Sequence, residues 1–229
     1  MKKKVIAILT AAGTGSRYSK LSSHSKPKQF LKLFGKPIFL FPLIELQKCR
    51  SVSGIFISAP QAYFDYIHSI AALNKITKLK GLVEGGKTRF ESVKNAFLQI
   101  EASAGDLVLI HDAARPNINQ ALINKIINEA EKSNEVIIGT KVSETVKRES
   151  RGYITETLSR ENLWLVQTPQ IFRYKTLAVS YNKTNRMNFT DEASLVESAG
   201  FKVKIIEGDK TNIKITTPAD LHLLKKLMQ

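Results

Sequence analysis

The sequence predicts an α/β fold: a mostly parallel, doubly wound sheet with a projecting β-hairpin arm. Two observations carry this expectation. Short apolar runs of strand length alternate with stretches whose apolar residues recur at helical spacing, as in successive βαβ crossovers. After residue 142 that alternation gives way to polar–apolar alternation around Arg151-Gly152, a turn signal, so residues 143–159 read as the arm.

In chain order, strands are expected at Val5–Thr10, Gly54–Ala59, Leu79–Glu84, Asp106–His111 and Glu135–Val142. Between them, Phe90, Val93, Phe97 and Ile100 share one helical face, and so do Leu122, Ile123, Ile126, Ile127 and Ala130. Asp191–Ala199 predicts a helix with Thr190 as its N-cap and Gly200 just past its end. Lys202–Ile206 and Ile213–Thr216 predict two late strands. Thr217-Pro218-Ala219-Asp220 opens the last helix with a hydroxyl cap, a proline in the first turn and an acid at the third position. No linker composition and no repeat interrupts the chain, so residues 1–229 are expected to form one domain.

Composition narrows the function classes. The 229 residues are 43% hydrophobic and 24% charged, which argues against a disordered chain. The single Cys49 has no partner for an internal disulfide and reads as a small apolar filler, which suits a reducing compartment. Lys2, Lys3 and Lys4 followed by Val5–Leu9 resemble the start of a signal peptide, but the apolar run is too short and reads as a buried strand. No apolar stretch reaches membrane-spanning length, so no membrane partner is expected and the cytoplasm is the expected compartment. A net charge of +15 attracts nucleic acid, anionic lipid or phosphorylated small molecules. The charges are scattered, without a dense basic run interleaved with aromatics, so no nucleic-acid partner is expected.

Three segments carry candidate chemistry. The first is Ala11-Ala12-Gly13-Thr14-Gly15-Ser16-Arg17 with Lys26-Pro27-Lys28-Gln29: glycines after a strand let backbone N–H groups converge on an anion, and Arg17 and Lys28 add fixed positive charge. A dinucleotide fingerprint fails here because Tyr18 occupies the third glycine position and no acid ends a second strand. The second is Gly81-Leu82-Val83-Glu84-Gly85-Gly86-Lys87-Thr88, which matches the P-loop expression in full. Its first glycine falls inside an expected strand, however, where it cannot open a phosphate-wrapping loop. Gly85-Gly86 remains a point of close approach to a nucleotide. The third is His111-Asp112-Ala113-Ala114-Arg115-Pro116 at a strand's carboxyl end, where α/β sheets bind ligands. Asp112 suits a metal or a hydroxyl and Arg115 a phosphate, the alternative being a buried Asp–Arg pair. His111 reads as structural, and the histidines show no zinc-ligand spacing.

Seven segments occur in an order that resembles the 2-C-methyl-D-erythritol 4-phosphate cytidylyltransferases of the non-mevalonate isoprenoid route: Ala11–Arg17, Lys26–Phe30, Gly85–Val93, His111–Pro116, Gln167–Phe172, Thr190–Ser194 and Asn212–Pro218. The resemblance implies a Rossmann-like nucleotidyltransferase fold, a homodimer and Mg²⁺, the metal held mainly through CTP phosphates. It implies that Arg17, Lys28 and Lys214 stabilise charge at the α-phosphate of CTP. Ala12, Gly13, Gly15, Gly86, Ser92 and Asp112 would bind CTP. Arg115, Thr145, Arg160, Thr190 and Lys214 would bind 2-C-methyl-D-erythritol 4-phosphate, Thr145 and Arg160 reaching a partner's site from or beside the arm. The chain departs from the family pattern in three places: a longer 17–28 stretch, Lys87 where an acid is usual, and Ser143-Glu144-Thr145 for Lys-Asp-Thr.

The implied reaction needs no covalent intermediate. The second phosphate pKa is about 6, so the attacking phosphate is already an anion and needs no general base. Alignment and fixed cations are what the barrier calls for. Competing readings are a ribulose 5-phosphate cytidylyltransferase, a P-loop ATPase and a nucleic-acid-binding protein. Ala113–Pro116, Asn162-Leu163-Trp164 and Thr190–Ala193 favour the methylerythritol enzymes over the ribulose ones.

Overall fold

The computed structural model describes residues 3–15, 18, 26–184, 186 and 188–229. Arg17 lies outside the described residues. In chain order the strands are β1 (Val5–Thr10), β2 (Lys32–Leu33), β3 (Lys36–Pro37), β4 (Val52–Ala59), β5 (Leu79–Glu84), β6 (Leu107–Asp112), β7 (Val136–Lys141), β8 (Val146–Ser150), β9 (Tyr153–Leu158), β10 (Trp164–Arg173) and β11 (Lys204–Glu207). Seven of them form one sheet in the order β11-β7-β10-β6-β1-β4-β5. β1 pairs in parallel with β4 and β6, β4 with β5, and β7 with β11; β10 runs antiparallel between β6 and β7. The sheet is mostly parallel, as the alternation of strands and helices predicts.

Period-two alternation along the strands builds a core on each face. From β1, Val5, Ala7 and Leu9 enter one cluster, with the helices Leu40–Lys48 and Gln120–Ser133 packed over it through Leu43, Leu46, Ile123 and Ile126. Ile6 and Ile8 enter the other, beneath Phe90 and Val93 of the helix Arg89–Phe97 and Leu195 of the helix Glu192–Ser198. The chain moves outward from β1 to β4 and β5, then crosses back to β6 on the other side of β1. That reversal opens a crevice at the carboxyl ends of β1 and β6, the place where such sheets take ligands. Thr10 and Asp112 are cross-strand partners at its floor.

Four sequence readings need correction. β10 was not expected, because its centre reads Gln167-Thr168-Pro169-Gln170, polar and proline-bearing; the proline sits where the register with β7 shifts, so no regular ladder bond is lost. Ile213–Thr216 is not a strand. Its alternation instead plugs Ile215 into a third apolar cluster with Leu33, Ile38 and Leu224, and an Ile215 N–H to Ala114 O bond of 2.9 Å helps tie it down. The helix expected to be capped by Thr190 is capped by Asp191, whose Oδ1 accepts from the Ser194 N–H at 3.0 Å, since the helix begins one residue later, at Glu192. Strand Lys202–Ile206 is shifted to β11, Lys204–Glu207.

The arm forms as expected. β8 and β9 pair antiparallel across Arg151 and Gly152, both at positive φ (54° and 85°), the primed turn that matches strand twist. Most of the arm is exposed, including Tyr153 at 79% and Ile154 at 66%.

Candidate functional site

The crevice holds a cavity of about 300 Å³. Its walls include Ala12, Gly13 and Gly15 after β1, Gly86 and Ser92 at the start of the helix Arg89–Phe97, and the side chains of Lys28, Lys87, Arg89, Asp112 and Lys214. Among the described residues this lining is rich in cationic side chains, the kind of surface that attracts an anion.

Local sequence explains how the walls are held. Gln29, 2% exposed, donates through Nε2 to Ala11 O at 2.5 Å and Gly13 O at 2.9 Å, stapling the loop after β1 from behind. Gly15 takes φ +69°, which glycine adopts without steric cost. Gly85 admits no side chain, for a Cβ there would lie 2.1 Å from Ala12 Cβ. The P-loop reading fails on two counts. Gly81 sits inside β5. The N–H groups of Gly86, Lys87 and Thr88 are also occupied, by Ser92 Oγ at 3.1 Å and by Glu91 Oε2 at 2.6 and 3.3 Å. The Thr88 bond is half of the capping box of the helix Arg89–Phe97, and with all three donors turned to side chains of that helix they are not available to wrap a phosphate.

A second cavity of about 200 Å³ adjoins the first. It is lined by Arg115, Gln167, Thr168, Gln170, Thr190 and Asp191, and it shares Arg89, Asp112 and Lys214 with its neighbour. Asp112 is the meeting point. Its Oδ1 accepts from Arg89 Nε at 3.1 Å and Thr10 Oγ1 at 3.2 Å; its Oδ2 lies 2.7 Å from Lys214 Nζ and 3.8 Å from Arg115 Nε. Burial alone would push the Asp112 carboxyl up, but Arg89, Lys214 and Arg115 outweigh it and hold the group well below the usual carboxylate range. Arg115 in turn donates through Nη1 to Asn212 O at 2.7 Å, and Asn212 Nδ2 donates to Thr168 O at 2.8 Å.

His111 is structural, as its place in the strand suggests. Its Nε2 lies 3.2 Å from Arg115 O, and a carbonyl can only accept, so Nε2 carries the proton. Nδ1 therefore accepts from Thr168 Oγ1 at 3.2 Å, and that hydroxyl accepts from the Asp112 N–H at 3.0 Å. Burial, with Arg115 and Lys214 nearby, pulls the imidazole pKa down to about 4 despite the Asp112 charge.

Of the residues named from sequence, Lys28, Ala12, Gly13, Gly15, Gly86, Ser92, Asp112 and Lys214 line the first cavity, and Arg115, Thr190, Asp112 and Lys214 the second. Thr145 and Arg160 line neither; Arg160 Nη1 donates to Ser143 O beside the arm. Arg17 is not among the described residues. Sequence reasoning missed Thr10, Gln29, Arg89 and Gln170. For Arg89 the only signal was a cation directly after the helix cap Thr88, three residues beyond the glycine pair.

Among known proteins, the family model described as 2-C-methyl-D-erythritol 4-phosphate cytidylyltransferase matches residues 5–229. The protein of that name from Syntrophus aciditrophicus (strain SB) is 35% identical over 233 residues, covering 100% of this chain and 97% of the relative. A crystal structure of a 4-diphosphocytidyl-2C-methyl-D-erythritol synthase superposes with a TM-score of 0.84 at 27% identity, over 100% of both chains. The Francisella tularensis 2-C-methyl-D-erythritol 4-phosphate cytidylyltransferase superposes with a TM-score of 0.80 at 33% identity, covering 96% of this chain and 98% of that one.

The buried neutral imidazole sets a pH dependence of stability. The folded His111 pKa of about 4 lies below the unfolded value of about 6.5, so the unfolded chain binds the extra proton between them. The stability from this group is complete above about pH 6.5 and is lost as pH falls toward 4, a total of about 3 kcal/mol. Asp112, with its depressed pKa, adds its own loss mainly below about pH 4. Urea midpoints measured from pH 7 to 4 should fall in the wild type and flatten in His111→Gln; parallel slopes in the two proteins would remove His111 from this role.

Proposed function

The chain belongs to the 2-C-methyl-D-erythritol 4-phosphate cytidylyltransferase family, and on that premise we propose that it transfers CMP from CTP to 2-C-methyl-D-erythritol 4-phosphate in isoprenoid biosynthesis. The observation that carries this reading is the junction of the two cavities. A cation-lined pocket of nucleotide-binding type meets a second polar pocket, and Asp112, Arg89 and Lys214 belong to both.

CTP occupies the first cavity, with its base and ribose against Gly86 and Ser92 and its phosphates over Ala12, Gly13, Gly15 and Lys28. The methylerythritol phosphate occupies the second, against Arg115, Thr190 and Lys214. An oxygen of the acceptor phosphate attacks the α-phosphorus, the bond to the bridging oxygen breaks, and pyrophosphate leaves with the electron pair. The products are 4-diphosphocytidyl-2-C-methyl-D-erythritol and pyrophosphate. Negative charge gathers on the α-phosphoryl oxygens in transit, and Lys28 and Lys214 are fixed cations poised for it. Arg17 is assigned to the same duty on the family resemblance alone. Lys214 keeps its place because Ile215, fully buried, anchors the next residue while Asp112 holds the ammonium.

Magnesium belongs to this reading as a companion of the nucleotide. Among the described residues no three His, Cys, Asp or Glu side chains gather to hold a metal, and both oxygens of Asp112 are engaged by cationic side chains. Held mainly through CTP phosphates, such an ion would sit beside the loop of Ala12, Gly13 and Gly15 and near Lys28. Such an ion supplies charge neutralisation along the triphosphate.

Thr145 and Arg160 act in a partner's second cavity, which makes the working unit a homodimer. The support is that they line neither cavity of their own chain and that the neighbouring arm exposes Tyr153 and Ile154. The reaction is placed in the cytoplasm, on the lone Cys49. No helix among the described residues is long and apolar enough to cross a membrane.

Pyrophosphate release should require CTP, methylerythritol phosphate and Mg²⁺ together, stop with EDTA, and be far weaker with ribulose 5-phosphate or other nucleoside triphosphates. In the same assay Lys28→Ala should lose about 100-fold in kcat, the scale of removing one preorganised donor; turnover near wild type in that variant would defeat the assignment. Sedimentation should show a dimer. Mixing Lys28→Ala with Arg160→Ala should restore about a quarter of wild-type activity, since half of the dimers then carry one intact site. A monomer, or no recovery on mixing, would end the shared-site proposal.

A further inference from the structure

Arg89 lines both cavities and Glu192 lies buried behind it, and together they hold the central carboxylate, Asp112. Arg89 is the first residue of the helix Arg89–Phe97, and Glu192 is the first of the helix Glu192–Ser198. Glu192 is 0% exposed, and its two carboxylate oxygens accept from the same Arg89 Nη1 at 2.9 and 2.8 Å. The other edge of the guanidinium, Nε, donates to Asp112 Oδ1 at 3.1 Å. Because the guanidinium is planar and rigid, fixing Nη1 also fixes the direction of Nε. Its third nitrogen, Nη2, is buried without a hydrogen-bond partner among the described residues. An orphaned donor is unfavourable in a bridge that serves packing alone, and such groups mark working sites.

The consequence lies in how the oxygens of Asp112 are divided. Arg89 and Thr10 take Oδ1; Lys214 and Arg115 take Oδ2. With both sides held, the carboxylate cannot rotate. If Arg89 let go, the plane would be free to turn, and the Lys214 ammonium would follow it.

We propose that Glu192 and Arg89 are positioning residues of the transfer: Glu192 fixes the Arg89 guanidinium, and Arg89 fixes the Asp112 carboxylate at the wall shared by the two cavities. This rests on the cytidylyltransferase reading above. The lysine that meets the α-phosphate is therefore aimed by a chain of contacts that begins at a buried glutamate on another helix. Lys cannot substitute for Arg89, since a single ammonium cannot present two rigidly related edges to two carboxylates.

The test compares Arg89→Gln, Arg89→Lys and Glu192→Gln with the wild type in the pyrophosphate assay, with melting temperatures alongside. Folded variants should lose about 10- to 100-fold in kcat, the scale of an ångström-level misplacement, while KM for CTP stays within about three-fold. Arg89→Lys should recover little. The acid limb of the kcat profile should move to higher pH in Arg89→Gln. The charged and titratable groups around Asp112 are Arg89, Arg115 and Lys214, the buried His111 next to it, and, beyond Arg89, Glu192 and Asp191; of these only Arg89 is removed. Folded variants with wild-type kcat and an unmoved acid limb would overturn the inference, as would variants that unfold below the assay temperature. A wild-type protein inert with CTP and methylerythritol phosphate would instead overturn the functional reading and this inference with it.

Discussion

A buried carboxylate surrounded by cations is the constraint on which the site depends. Taking Asp112 out of water at the end of β6 is unfavourable unless its charge is compensated. Arg89, Arg115 and Lys214 compensate it, and each arrives from a different part of the chain. The crossing from β5 back to β6 places that carboxylate beside Thr10 of β1. The apolar plug around Ile215 delivers Lys214 from near the C-terminus. The fold thus brings Arg89 and Lys214, remote in sequence from Asp112, to the same carboxylate as its neighbour Arg115.

Two of the cations that neutralise Asp112, Arg89 and Lys214, also line the cavity assigned to the triphosphate. Lys28, Lys87, Arg89 and Lys214 among the described residues of the first cavity make a basic lining that attracts an anion. Electrostatic preorganisation of this kind suits phosphoryl chemistry whose nucleophile is already ionised. It also explains why His111, next to Asp112, is buried, neutral and committed to Thr168 and Arg115 rather than to substrate.

Much of this was legible in the sequence because the signals were local. Apolar strand runs, helical periodicities and the Arg151-Gly152 turn each specify structure within a few residues, and they placed β1, β5, β6, β7 and the arm. The glycine loop and the His111–Pro116 segment could be read as ligand-binding because glycines and charges followed expected strands. What stayed hidden depends on distant partners. β10 is polar at its centre because Gln167, Thr168 and Gln170 line the second cavity or bond to its walls, so its composition reflects the site and not the sheet. Ile213–Thr216 looks like a strand because it alternates, yet the alternation serves a plug and an ion pair. Thr190 read as the cap of a helix starting at Asp191; only the folded chain shows Asp191 capping that helix and Glu192 buried against Arg89.

The transfer requires that the ionised Asp112 carboxylate keep the cations of the junction in working position. Replacing it with Asn preserves shape and removes charge. The direct measurement is kcat of Asp112→Asn with saturating CTP and methylerythritol phosphate, on protein shown to be folded by its melting transition. We expect a loss of about 100-fold or more. A folded Asp112→Asn enzyme turning over within a few-fold of wild type would contradict the account.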